Sequence, residues 1–239
     1  MMSRLIFGIS LSYFLICPAI SYTQTFRNQQ GFFLGGGVSQ PGRYSRFLES
    51  NPEPGTQQDA AICWEAGLMV IRKISQRAAF SQGISILMLG NSIRRNREIW
   101  LNSQQDSILF AANQQRIENY FVTFPFRWSF YLNKHRGGQW FIGPGISMAI
   151  PVYESRKIKG TDLQGVSREL NSRGWPKMGP YAFLCPELET GFMMEFPDCS
   201  LLRISLFGCL RGIDVFKGEN NYTLQYFSGL RFVWFRGTD

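Results

Sequence analysis

Histidine occurs once in the 239 residues, at His135, inside the turn-forming run Asn133-Lys134-His135-Arg136-Gly137-Gly138. A single histidine excludes multi-histidine metal sites and any catalysis that needs two imidazoles. An acyl-hydrolysing or acyl-transferring enzyme would need His135 as its base, and no G-x-S-x-G elbow supplies an activated serine beside it. Cys63, Cys185, Cys199 and Cys209 form no C-x-x-C pair and no zinc-ligand spacing. Gly35-Gly36-Gly37 precedes no helix signal, so it reads as a strand that neighbours approach closely, a poor candidate for a phosphate loop. The expectation is a chain without catalytic residues, metal or cofactor.

The remaining chemistry is charge. Lys and Arg number 25 against 17 Asp and Glu, a formal net charge of +8. Residues 154 to 177 concentrate the excess, with Arg156, Lys157, Lys159, Arg168, Arg173 and Lys177 against Glu154, Asp162 and Glu169. A soluble basic protein would suggest nucleic acid. On a cell surface the nearer anions are lipopolysaccharide phosphates, and a merely solvated loop is the plainer reading.

The compartment follows from the first residues. After Met1-Met2-Ser3-Arg4 an apolar run reaches Ile16, then small and polar residues lead to Thr23, the layout of a secretory signal peptide. Cleavage after Ser21 or Thr23 fits; with Thr23, residues 1 to 23 are the signal and 24 to 239 the mature domain. An uncleaved anchor helix would need roughly 20 apolar residues, more than this run holds. Lipidation at Cys17 would follow the bulky Ile16, where a small residue is usual.

Beyond the signal no stretch is apolar enough for a membrane helix, so a membrane location demands a closed barrel. The hydropathy period is two. Tyr120, Val122, Phe124, Phe126, Trp128 and Phe130 form one row, and Leu202, Ile204 and Leu206 begin another opposite Arg203, Ser205 and Phe207. Eight strands are predicted, at about 31–39, 60–73, 78–90, 118–132, 139–151, 180–196, 200–213 and 222–235. Their connections alternate long and short, with long loops at about 40–59, 91–117 and 152–179. That rhythm and the even count describe an all-β, eight-stranded antiparallel up-and-down transmembrane barrel, expected as a monomer. Trp64, Trp100, Trp128, Trp140 and Trp234 are candidates for its interfacial girdle.

The face opposite the apolar rows carries Glu65, Lys73, Arg127, Glu187, Glu189, Glu195, Arg203, Arg211 and Arg231. A sandwich core would bear a heavy desolvation cost for so many ions, whereas a small lumen holds acids paired to bases. Lumen packing is the expected role; an ion-conducting path is the alternative, in an interior that eight strands leave just wide enough for side chains to fill. A hairpin centred on Pro197 pairs positions summing to about 394, bringing Glu189 near Arg203 or Ser205 and setting Cys185 opposite Cys209. Those two cysteines either form a disulfide or fill the lumen as thiols. Pro125, Pro144 and Pro186 interrupt strands and predict bulges.

Gly67-Leu68-Met69-Val70-Ile71-Arg72-Lys73-Ile74 with Phe80-Ser81-Gln82-Gly83-Ile84 resembles a hairpin of the PorT-like small outer-membrane β-barrel proteins of Bacteroidota. Asn119 to Arg127, with its internal Pro125, and Trp140-Phe141-Ile142-Gly143-Pro144-Gly145-Ile146 resemble that family's next hairpin. Glu187 to Phe192 and Phe227 to Phe232 resemble its late strands. The resemblance implies outer-membrane localisation in a Gram-negative cell, contact with outer-membrane lipids, and insertion by the barrel assembly machinery. It also implies a place in protein secretion as one reading, because PorT is implicated in export across the outer membrane. Many outer-membrane barrels end on a terminal aromatic that the assembly machinery reads, whereas here Arg236-Gly237-Thr238-Asp239 follow Phe235. A structural or surface-binding role with a secretion or surface protein partner is the leading expectation, no nucleic-acid partner is expected, and lipid A acyl modification is the less favoured enzymatic alternative.

Overall fold

The computed structural model describes residues 28–41, 57–101, 107–135, 138–175, 182–211, 213–214 and 225–236. The expected signal segment, residues 1 to 23, lies outside them. Eleven strand segments occur among the described residues: β1 (Asn28–Pro41), β2 (Gln57–Asp59), β3 (Ala61–Ser75), β4 (Ala78–Leu101), β5 (Ser107–His135), β6 (Gly138–Asp162), β7 (Ser167–Gly174), β8 (Phe183–Glu195), β9 (Leu201–Arg211), β10 (Ile213–Asp214) and β11 (Gln225–Phe235). Eight of them close a ring. The hydrogen-bonded order runs β8-β9-β11-β1-β3-β4-β5-β6, and β6 pairs back to β8. Every pairing is antiparallel, and β1 meets β11 from Gly31↔Phe235 to Pro41↔Gln225. At that seam Gly37 faces Gly229, where a β-carbon would strike the Ser228 carbonyl, so the close approach read from the glycine run occurs at this position.

The predicted strands are right in number and order, but three are far longer. β4, β5 and β6 continue where long loops were expected, pairing as far as Leu101↔Ser107 and Phe110↔Asp162. β2 joins this sheet on β4 and β7 joins it on β6, so a five-stranded sheet stands on one end of the barrel. Asp162 makes the β6–β7 connection. Its Oδ1 accepts the amides of Gln164 and Val166, each at 2.9 Å, and Gly165 takes φ +80°.

The proline expectation fails in detail. Pairing runs through Pro125↔Ser147, Pro144↔Leu188 and Ile146↔Pro186 without a register shift. A strand amide points to one neighbour only, so each proline removes one ladder bond and the frame of its neighbours holds. A bulge lies instead at Val152, next to Pro151, where Tyr120↔Tyr153 gives way to Phe121↔Pro151 and the barrel becomes the sheet.

The turn between β8 and β9 corrects another expectation. Cys199 donates its amide to the Phe196 carbonyl at 3.0 Å, Phe196 donates to Ser200 at 2.9 Å, and Cys199 sits at φ 60°. This is a three-residue loop with a left-handed final position. It centres the hairpin one residue later than Pro197, so Glu187 pairs Cys209 and Glu189 pairs Phe207. Cys185 and Cys209 therefore lie diagonally, and no disulfide joins them.

Candidate functional site

Inward-facing residues fill the ring in three layers. At the short-turn end Phe33, Met69, Ile71, Tyr131, Phe141, Met193, Val233 and Phe235 form an apolar cluster. Toward the sheet end Cys63, Leu87, Leu89, Phe121, Cys185, Phe207, Cys209 and Phe227 form a second, with Phe183 packed against it. Between them lie three arginines and three glutamates, with Arg127, Arg203 and Arg231 each only 1% exposed.

Strand register explains how these six ions meet. Gly35 on β1 is paired to Glu65 on one side and Arg231 on the other. Gly145 on β6 stands likewise between Arg127 and Glu187. A glycine between an acid and a base leaves the space their side chains cross. A β-carbon at Gly145 would come within 2.9 Å of the Arg127 Cγ and 3.0 Å of the Glu187 Cγ. Arg231 then joins all three acids, with Nη2 2.7 Å from Glu65 Oε2 and 3.5 Å from Glu187 Oε2, and Nη1 3.1 Å from Glu189 Oε2. Arg203 Nη2 lies 3.1 Å from Glu189 and its Nη1 donates to Ser129 Oγ at 2.8 Å. Arg127 donates through Nε to Glu187, while the Ser205 and Ser85 hydroxyls donate to Glu189 and Glu65.

Aromatic faces cover the guanidinium planes. Arg203 lies 3.7 Å from the Phe141 ring centroid and Arg231 4.2 Å from that of Phe207. The charges balance three against three. Such a network holds its strands together strongly against removal of one partner, and an apolar layer lies on each side of it.

The other sequence candidates lie elsewhere. Glu195 is exposed at the last position of β8, and Lys73 is exposed near the end of β3. Arg211 ends β9, with its backbone paired to Gln225 and its side chain outside the described residues. His135 closes β5 opposite Gly138, and its side chain too lies outside them. The short β5–β6 turn is far along the strand from the six lumen ions.

The outer wall is apolar. Phe32, Leu34, Leu68, Ile84, Ile86, Ile142, Leu188, Leu206, Leu230 and Phe232 all expose large apolar surfaces to the outside. Two aromatic rings border this band. Near the short turns Trp128 packs on Phe80 at 5.1 Å, Trp140 on Phe192 at 5.3 Å and Trp234 on Phe196 at 5.5 Å. Toward the sheet Trp64, Tyr120 and Tyr153 stack edge to face at 6.2 and 5.6 Å. Tyr120 to Trp128 along one strand is about 26 Å, or roughly 20 Å of depth at a barrel tilt near 40°. Water tolerates no such continuous apolar belt, and a bilayer requires one. The protein is an integral outer-membrane β-barrel. Trp100, expected in the girdle, is paired to Ile108 well out on the β4–β5 hairpin, and tyrosines take part in its place.

No protein-family model matches the chain, and no curated protein matches it. Among solved structures, Neisserial surface protein A is similar at TM-score 0.40 and 8% identity, over 86% of this chain and 97% of that one. The outer-membrane protease OmpT of Escherichia coli has TM-score 0.37 and 8% identity, over 91% and 99%. Ail, the attachment invasion locus protein of Yersinia pestis, has TM-score 0.31 and 11% identity, over 87% and 99%. Scores this low add nothing to the architecture that strand pairing already establishes.

Outside the upper girdle, β5 runs from Tyr120 back to Ser107, about 45 Å along its axis. Ion pairs cross this sheet at Arg94–Asp59, 2.9 Å, Arg168–Asp162, 2.8 Å, and from Glu169 to Lys157 at 2.6 Å and Lys159 at 3.1 Å, while Arg116–Glu118 at 3.0 Å runs along β5. Hydrogen bonds from Lys157 and then Lys159 pull the Glu169 carboxyl down to about 2. The Asp162 carboxyl is also lowered, first by its hydrogen bond from Arg168.

Proposed function

We propose that this is a non-enzymatic outer-membrane barrel whose working surface is the strand-built sheet outside the bilayer, serving a structural or surface-binding role. The carrying observation is the continuation of β4, β5 and β6 beyond the girdle into a paired sheet flanked by β2 and β7. Loops that only connect strands have no need of such order, and the filled lumen leaves the outside as the accessible surface. By the usual arrangement of such barrels the short turns face the periplasm and this sheet faces the exterior. The test is a shortened chain with β4–β5 and β6–β7 cut back to the girdle and closed by short turns. It should keep its heat-dependent electrophoretic shift and lose binding of cell-surface ligands; retained binding would refute the proposal.

The second reading is a component of a protein secretion apparatus of the PorT-like kind. It is favoured by the resemblance of the barrel hairpins and by β7, a sheet edge paired to β6 on one side only among the described residues. Loss of the gene would then block export of other proteins, whereas a purely adhesive barrel would leave export intact.

A further inference from the structure

A cavity of about 690 Å³ opens on the outer face where barrel becomes sheet. Val38 and Ile62 floor it, and Gln114, Arg116, Lys157 and Lys159 wall it. The floor is continuous with the lipid-facing belt, Val38 and Ile62 being 50% and 65% exposed. The polar wall begins just beyond Tyr120 and Tyr153, at the depth of lipid headgroups. Within it Arg116 pairs directly with Lys157 across the β5–β6 ladder, and Gln114 pairs with Lys159. Two cations facing each other across strands destabilise a sheet unless an anion lies between or above them. Glu169, shared by both lysines, and Glu118, on Arg116, offset part of that charge and leave an excess of one cation. Gln114 and Ser92, joined by a 3.2 Å hydrogen bond, add neutral donors beside the cations.

We infer that this groove binds the phosphorylated headgroup of an outer-leaflet lipid, with the phosphate on Arg116, Lys157 and Lys159 and the upper acyl segment against Val38 and Ile62. The inference rests on the reading that the outer sheet is the working surface and adds its ligand class. A free phosphate would satisfy the cations and leave the apolar floor unused.

The test is native mass spectrometry of the full chain refolded in detergent, titrated with bis-phosphorylated lipid A, its dephosphorylated form, or inorganic phosphate. One phosphorylated lipid should bind per barrel, with binding at least tenfold weaker for the dephosphorylated form and for the R116Q/K157Q/K159Q variant. Glu169→Gln, which releases both lysines, should strengthen binding several-fold, and Arg173→Gln, a basic residue of β7 that is not part of the groove, should leave it unchanged. Each variant is first checked for the heat-dependent shift, so a lost barrel is distinguished from a lost site. Equal binding by the triple variant or the dephosphorylated lipid would overturn the inference, as would equal weakening by Arg173→Gln or full displacement by inorganic phosphate at lipid-equivalent concentration.

Discussion

Lumen and outer sheet are built from the same chemistry, acidic and basic side chains on neighbouring strands, and the two regions use it differently. In the lumen Arg231 reaches three carboxylates, and every charge is buried. On the sheet Lys157, Lys159 and Glu169 keep side-chain exposures of 44, 63 and 40%. An ion pair in water contributes little, whereas a buried charge without its partner is costly. Inside, therefore, separating two partners is costly; outside, the paired ions stay in contact with water.

The largest predicted effect comes from separating a buried partner. Arg231→Met leaves three carboxylates with one arginine fewer, and urea unfolding in detergent should show a loss of about 3–5 kcal/mol or no folded barrel at all. Adding Glu65→Gln to that variant should recover part of the loss; additive damage would break the account of a shared network. Next, Gly145→Ala forces Arg127 and Glu187 apart, and the same assay should read about 1–3 kcal/mol of destabilisation. Cys199→Gly relieves a left-handed cysteine in the β8–β9 turn and should stabilise by about 1 kcal/mol.

The smallest effects belong to the sheet. Lys157→Ala should shift barrel unfolding by less than about 1 kcal/mol. Because the folded Glu169 carboxyl titrates near 2, below its unfolded value, its contribution is present above about pH 4.5 and disappears as pH falls toward 2. Protection factors of β7 amides, taken relative to the intrinsic exchange rate at each pH, should fall across that window while the lumen-facing strands stay protected; a uniform response would erase the contrast between the regions.

The barrel was legible because a two-residue period needs no tertiary information: Tyr120 to Phe130 alternates whatever its neighbours are. The same parity put Glu65, Arg127, Glu187, Glu189, Arg203 and Arg231 on one face. Parity does not report depth, so Glu195 and Lys73 were grouped with them although they fall at strand ends. Register was harder. The left-handed Cys199 moved the β8–β9 pairing by two, and no residue type there announced it, since glycine is the usual occupant. The outer strands were missed because polar and apolar residues come there in blocks, Arg94 to Glu98 before Ile99 to Leu101 and Ile108 to Ala112 before Asn113 to Arg116, which removes the alternation a strand is recognised by. A signal was nevertheless present in Asp162-Leu163-Gln164-Gly165, an Asx-type turn with glycine at its left-handed position. The glycines between acid and base, Gly35 and Gly145, became meaningful only once pairing joined distant strands.

If the ion network and its two apolar layers seal the barrel, the full chain passes no current through its lumen. Planar-bilayer recording of the refolded full chain tests this most directly. The unmodified protein should leave the membrane electrically silent across moderate voltages. Reproducible ohmic steps from the folded, unmodified protein would contradict a sealed lumen and turn the buried ions into a conduction path.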